Sequence, residues 1–213
     1  MAKIKVSYAP SVRRLPSYLH IIHQAERNHD IYISGTVIAQ ELNLEPIQVR
    51  KDLAITGIVG KPKKGYPVEE LIKAIERYLG WDQSHDAVLV GAGNLGSALM
   101  GYQEFQRHGL RFVAAFDTEP QKVGTQVHGV AVLDMKDLEA RIKDMKAEIA
   151  VLTVPSPFAQ ATAEVLVRAG ITSIWNFTNI KLKVPDDIVV QREDLSSGYA
   201  MLSVQMLNHK SRA

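Results

Sequence analysis

The sequence contains no cysteine. That absence excludes disulfides and thiolate metal sites, and makes the cytoplasm the natural compartment. No apolar run approaches the length of a membrane span, and the opening MAKIKVSYAPSVRR lacks the apolar stretch of a secretory leader, so no membrane partner is expected. A strong excess of one charge is missing too: 25 Lys and Arg face 23 Asp and Glu, a formal net charge of +2. Internal repeats and low-complexity segments are also absent. What remains is ordinary for a globular protein, 46% hydrophobic and 23% charged over 213 residues, enough for one large core or two small ones.

The near-neutral total hides an asymmetry. Residues 1–66 hold 10 Lys and Arg against 5 Asp and Glu, whereas residues 67–213 hold 15 against 18. A basic front half joined to a mildly acidic back half suggests two parts with different partners. In the front half, Leu15, Tyr18, Leu19, Ile22 and Ala25 recur at helical spacing and predict a helix over 12–27, with Pro16 tolerated in its first turns. Ile33-Ser34-Gly35 marks a helix start with Ser34 as cap, leading to a short helix over 36–42. Asn43-Leu44-Glu45 makes a tight turn, and Pro46 opens a further helix to about residue 55. This is the helix-turn-helix pattern, with 45–55 in the recognition position. Gly57 and Gly60 break the chain, Lys61-Pro62-Lys63-Lys64-Gly65-Tyr66 suits a basic wing between two short strands, and 68–78 reads as an amphipathic helix. Residues 80–85 form a polar linker. Arg50 and Lys51, with Gln48 nearby, lie on the recognition helix; Lys61, Lys63 and Lys64 lie on the wing. Arginine and glutamine can read base edges, while lysines mainly contact phosphates or enter a narrow minor groove. Either cluster alone reads better as a solvated charged surface; together, on this pattern and with the charge asymmetry, they favour nucleic acid.

From Ala87 the pattern changes to alternating strands and helices. The segment VLVGAGNLGSAL sets Gly91, Gly93 and Gly96 in G-x-G-x-x-G register after an apolar run, with Ala92, Asn94 and Leu95 between them. The first glycine permits a tight strand-to-helix turn, the second lets backbone approach a pyrophosphate, and the third lets the helix pack closely on the strand. The amides at the helix start suit the phosphates. A strand over 87–90, a helix over 97–107 and a strand over 111–116 complete the unit and end at Asp117. That carboxylate follows Gly96 by 21 positions, where a ribose 2′-hydroxyl needs an acceptor, and it favours NAD(H) over NADP(H) by repelling a 2′-phosphate. A glycine turn that binds nothing is the alternative. Further strands over 130–132, 148–154, 173–177 and 188–190, with helices over 134–144 and 158–169, predict a parallel, doubly wound sheet. Val154-Pro155 and Asn176-Phe177 end two strands at the carboxyl edge, where a nicotinamide pocket would form. A last helix over 195–207 is apolar enough to require a large surface to pack on.

For catalysis the residues offer little. No length remains for a separate substrate domain, and His108 and His128, the only histidines within 86–192, stand at no strand end. His20 and His23 are three apart on one helix, with no carboxylate at helical spacing to complete a metal site. The expectation is therefore a non-enzymatic protein without metal. A small NAD-dependent oxidoreductase with a helical N-terminal extension is the alternative, and a nucleotide-responsive module that contacts other proteins is a second.

The combination resembles the Rex family of redox-sensing transcriptional repressors over nearly the whole chain. The resemblance rests on Arg14-Leu15, Gln48-Val49-Arg50-Lys51-Asp52-Leu53, Gly65-Tyr66, Val90-Gly91-Ala92-Gly93-Asn94-Leu95-Gly96, Phe116-Asp117, Thr153-Val154-Pro155, Ala169-Gly170-Ile171 and Asn176-Phe177. It implies an α/β chain in three parts: a winged helix-turn-helix domain over 1–80, a Rossmann NAD(H)-binding domain over 86–192, and a domain-swapped helix and tail over 193–213. It further implies a homodimer that binds double-stranded operator DNA when NAD+ dominates and leaves it when NADH is bound. Gln48, Arg50, Lys51 and Arg14 would then meet DNA, with Lys61, Lys63 and Lys64 on the wing. Tyr102 and Asp194 match positions the family uses in a nucleotide-dependent contact across the dimer, and His20 stands where the family often has arginine, which implies a pH-sensitive switch. Ala54-Ile55-Thr56 replaces the family's Ser-Tyr-Phe, and the wing differs from its Lys-Arg-Gly-Val-Gly-Tyr, so the preferred operator is expected to differ.

Overall fold

The computed structural model describes residues 8–210, which form two compact units divided between Ser84 and His85. The outer limits expected for the terminal parts, residues 1 and 213, lie outside the described residues. The first unit runs α1 (Ala9–Arg27), β1 (Tyr32–Ile33), α2 (Gly35–Glu41), α3 (Pro46–Ala54), β2 (Tyr66–Pro67) and α4 (Val68–Leu79). Helix α1 starts three residues earlier than its apolar spacing predicts, so Pro16 lies inside it and not in the first turn. The helix continues past this missing donor because Leu15, Tyr18, Leu19 and Ile22 are anchored in the core with Ile38, Val49, Leu53, Leu71 and Ile75 from the other three helices. The Ser34 hydroxyl caps α2 by accepting from Val37 N at 3.2 Å, and Pro46 opens α3, where no backbone donor is needed. Strands β1 and β2 pair antiparallel, Ile33 opposite Tyr66, and the wing turns over between Lys61 and Gly65, which bond each other's backbone at 2.7 and 3.0 Å. Gly65 has φ +93°, and a Cβ there would strike the Ile33 carbonyl, so no other residue closes this wing as tightly.

The second unit is a seven-stranded sheet in the order β5-β6-β4-β3-β7-β8-β9. Its strands are β3 (His85–Val90), β4 (Leu110–Asp117), β5 (Gln126–Val127), β6 (Val130–Asp134), β7 (Ile149–Leu152), β8 (Ser173–Asn176) and β9 (Val189–Arg192). All pairings are parallel except that of β5 with β6. The helices are α5 (Asn94–Met100), α6 (Gln103–Arg107), α7 (Leu138–Met145), α8 (Ser156–Ala169) and α9 (Ser196–Lys210). Successive residues of each strand face opposite sides. Val88, Val90, Ala114, Phe116, Ala150 and Leu152 pack under α7 and α8. Ala87, Leu89, Ala115, Val132 and Val151 face the other way, toward Met100 and the half-buried Phe105, Trp175 and Phe177.

Two local features depart from expectation. The single helix expected over 97–107 is two helices, α5 and α6, broken at Gly101-Tyr102. The His128 ring packs so closely on Gly101 that a Cβ there would come within 2.7 Å of it. Strand β5 is an unforeseen hairpin partner of β6. Its His128-Gly129 turn has φ +50° and +80°, the left-handed pair that suits a two-residue hairpin.

In the first unit, α3 is tied to α1 by a polar contact that the hydrophobic pattern does not reveal. Asp52 is fully buried. Its carboxylate accepts from Arg14 Nε and Nη2 at 2.7 and 2.9 Å, from the Tyr18 hydroxyl at 2.5 Å and from Gln48 Nε2 at 2.8 Å. Burial by itself would raise its pKa, but hydrogen bonds from Arg14, Tyr18, Ser11 and Gln48 outweigh burial and hold the carboxyl below the usual range. Burial and the adjacent carboxylate push the Tyr18 phenol up to about 12. Since the folded-state pKa of Asp52 lies below the unfolded value, the stability it contributes is complete at neutral pH and is lost as pH falls through and below about 4. Arg14→Met leaves that carboxylate buried without its cation and is expected to destabilise the unit by about 3 kcal/mol at pH 7. Urea unfolding should show the parent losing stability between about pH 5 and pH 2 while the variant does not.

Candidate nucleic-acid interface and dinucleotide site

Helix α3 turns Arg50 and Lys51 to solvent and Asp52 inward. Two further residues expected on nucleic acid have partners within the unit. Gln48 is half-buried and donates its amide to Asp52, and Arg14 directs two guanidinium nitrogens at the same carboxylate. Both brace the back of α3, because a buried carboxylate needs donors more than a solvated surface does. The wing lysines Lys61, Lys63 and Lys64 are all exposed. Lys61 and Lys64 each place the ammonium 5.4 Å from the centre of the Tyr32 ring, and Lys61 Nζ lies 3.3 Å from its hydroxyl. Tyr32 thus draws two cations to one aromatic ring. Sequence reading missed it, although an aromatic just before the Ser34 cap was the available signal.

The glycine turn is built as the motif's logic requires. Gly91 has φ +100°, and a Cβ on it would lie 3.0 Å from the backbone of Thr153 and Val154. A Cβ on Gly96 would strike the Gly91 carbonyl and lie 2.8 Å from the Leu89 side chain. A Cβ on Gly93 would meet nothing within 4 Å. Close packing therefore demands the outer two glycines, while the middle one faces open space where a ligand can reach the backbone. The Thr153 hydroxyl lies 3.1 and 2.8 Å from the Val90 and Gly91 carbonyls and joins the end of β7 to the turn. Helix α5 follows directly, leaving its first-turn amides without intrahelical acceptors. Ala92 is buried beneath the turn, and Gly93 and Asn94 are exposed, with Leu95 half-buried.

Asp117 ends β4, the neighbour of β3, with its side chain largely shielded. Its Oδ1 accepts from Glu119 N at 2.9 Å, and Lys122 Nζ lies 3.6 Å from Oδ2 and 2.6 Å from Glu119 Oε2. An oriented carboxylate at this strand end suits a ribose diol. Among the strand-end residues, Val154, Pro155 and Phe177 keep exposed surface. Asn176 does not: it is fully buried, accepting from Thr178 N and Oγ1 and donating to the Ile180 carbonyl. Both ends of its amide are occupied, so it shapes the loop without facing a ligand. These residues fit an adenine dinucleotide.

Tyr102 is exposed at the α5–α6 break and packs edge-on against Phe105, with ring centres 4.8 Å apart. Phe105, Trp175 and Phe177 continue this aromatic row at 5.2 and 5.0 Å. Asp194 caps α9: its Oδ1 accepts from Ser196 N and Oγ, which lower its pKa. His20 lies exposed on α1. His23 has a carboxylate neighbour after all, Glu26 three residues on at 3.0 Å. Even so, no group of three or more His, Asp or Glu side chains able to hold a metal occurs among the described residues. Likewise, no helix among them is long and apolar enough to cross a membrane.

Comparison with known proteins agrees with both halves. Residues 82–180 match the family model described as CoA binding domain, and residues 5–54 match one described as "Putative DNA-binding protein N-terminus". CoA and NAD share an adenosine diphosphate, the part such a glycine turn addresses. The chain is 62% identical to the redox-sensing transcriptional repressor Rex of Treponema denticola, over 99% of this chain and 100% of that one. It is 38% identical to the Rex repressor of Bacteroides thetaiotaomicron, over 92% of this chain and 87% of that one. A crystal structure of RSP with NAD+ and operator DNA superimposes with a TM-score of 0.87 at 34% identity, covering 97% of this chain and 95% of that one. RSP with NADH gives 0.86 at 33%, covering 97% of each.

The glycine turn predicts opposite outcomes for two alanines. Gly93→Ala should melt like the parent yet lose NADH affinity by at least about tenfold, because its methyl enters the space the pyrophosphate needs. Gly96→Ala should lower stability by about 1–3 kcal/mol, because backbone must yield to it. Calorimetry and NADH titration of the two variants check this.

Proposed function

The chain belongs to the Rex family of redox-sensing transcriptional repressors, and on that premise we propose how its two units divide the work. The protein is a repressor that responds to the NADH/NAD+ ratio, and not an enzyme acting on the cofactor. In this reading Arg50 and Lys51 on α3 meet the major groove of operator DNA, and Lys61, Lys63 and Lys64 meet the backbone or minor groove beside it. The Gly91–Gly96 turn takes the pyrophosphate, Asp117 the adenine ribose, and Val154, Pro155 and Phe177 the nicotinamide end. The bound dinucleotide supplies a redox state to be sensed. The observation that carries the proposal is the coexistence in one chain of an exposed cationic recognition helix and an open cradle at Gly93. A repressor acting on chromosomal DNA works in the cytoplasm, as the absence of cysteine also favours.

The homodimer is part of the same proposal. Leu195, Tyr199, Met201, Leu202, Val204, Met206 and Leu207, on and just before α9, are each at least half exposed, and α9 buries none of its residues. So much apolar surface on one helix is stable in water only when covered. A second copy exchanging its own α9 would cover it, and a two-fold operator would match a two-fold protein. The Tyr102, Asp194 and His20 contacts implied by the resemblance would then form across the dimer. NADH can release DNA only by binding better to a dimer arrangement that does not fit the operator.

The test is selection of bound duplexes from a random library, then titration of the selected complex with each nucleotide. NADH should dissociate it at concentrations where NAD+ does not, and affinity should fall steeply with salt. A specific complex indifferent to both nucleotides would overturn the sensing mechanism. A second measurement addresses assembly. Leu202→Asp with Met206→Asp should sediment as monomer and weaken operator binding by at least about tenfold, as expected when two linked half-sites become one.

A further inference from the structure

Helix α3 sorts its residues sharply. Val49, Asp52 and Leu53 are buried, and Gln48 turns onto Asp52. The exposed residues are Ile47, Arg50, Lys51 and Ala54, spaced so that they form a single stripe along the helix. Two are cations and two are apolar. Ile47 is the anomaly: it is 61% exposed, stands in the first turn, and lies outside the unit's buried cluster.

A solitary surface isoleucine usually needs no explanation. This one lies in line with the two cations of a recognition helix, three and four residues before them, at the end that reaches base edges in this kind of docking. Removing its side chain from water is favourable only against another apolar group. The major groove presents one such group, the C5 methyl of thymine. We propose that Ile47 is a specificity-determining residue that packs on a thymine methyl in each operator half-site, next to the bases met by Arg50. Gln48, the other side chain at this end able to read a base, has its amide engaged by the buried carboxylate. The proposal rests on α3 entering the major groove, and its test distinguishes failure of that reading from failure of the contact.

The experiment uses the full-length chain and a duplex it selects, with each thymine of one half-site replaced in turn by deoxyuridine. Uracil keeps the base pairing and the O4 acceptor and deletes only the methyl. At one position the parent should lose affinity by about fourfold, the worth of one buried methyl-sized group. Ile47→Ala should bind the thymine and uracil duplexes equally, and Ile47→Val should retain part of the difference. Both substitutions lie on the surface, and an unchanged urea-unfolding transition of the first unit reports its intact folding. Indifference of the parent to uracil at every position overturns the contact while leaving operator binding in place, as does a penalty that survives in Ile47→Ala. Failure to select any duplex overturns both the contact and the recognition-helix reading.

Discussion

The nucleic-acid side of this protein depends on one buried carboxylate. Asp52 is immediately followed by Leu53 of the core and preceded by two cations. A helix advances about 100° per residue, so drawing Asp52 inward sends Arg50, two residues back, to the opposite side. Arg14 and Tyr18 then fix α3 against α1, and Gln48 donates to the same carboxylate from within α3. Such an ion pair contributes little as net stability, since its desolvation offsets much of the attraction. Its directional bonds instead set the rotation of the recognition helix, which apolar packing would define less sharply.

The dinucleotide side obeys a different constraint, close approach of backbone to backbone. The Gly91 carbonyl lies where a side chain on Gly96 would need to be, and Thr153 ties the same carbonyl to the end of the neighbouring strand. The turn is thereby drawn tight against β7, and the open space falls in front of Gly93. One unit is organised by a charge that must be satisfied, the other by atoms that must be missing.

Much of this was legible in the residues. Ser34 as a cap, Pro46 at a helix start and the glycine spacing each have a local mechanism, so each survives folding unchanged. Residue type and resemblance do not show which side chains are engaged inside the fold. Arg14, Gln48 and Asn176 each read as facing a ligand, and each holds an internal partner: Arg14 one on another helix, Gln48 one a turn along its own helix, and Asn176 one in its own loop. The lack of room for a side chain at Gly101, where α5 ends, likewise comes from His128, more than twenty residues downstream. Tyr32 gathers Lys61 and Lys64 across the β1–β2 pairing, which no local pattern announces.

By itself the sequence determined most of the order of elements, the wing and the glycine turn, because caps, turns and periodicity act over a few residues. It also determined the family, through motifs carried along nearly the whole chain. Only the tertiary structure decided which polar side chains are free. An arginine, a glutamine and an asparagine look alike in the sequence whether they face water or a buried acceptor. The choice is made by the high cost of leaving a buried polar group unpaired, and that cost exists only once the chain has folded around it.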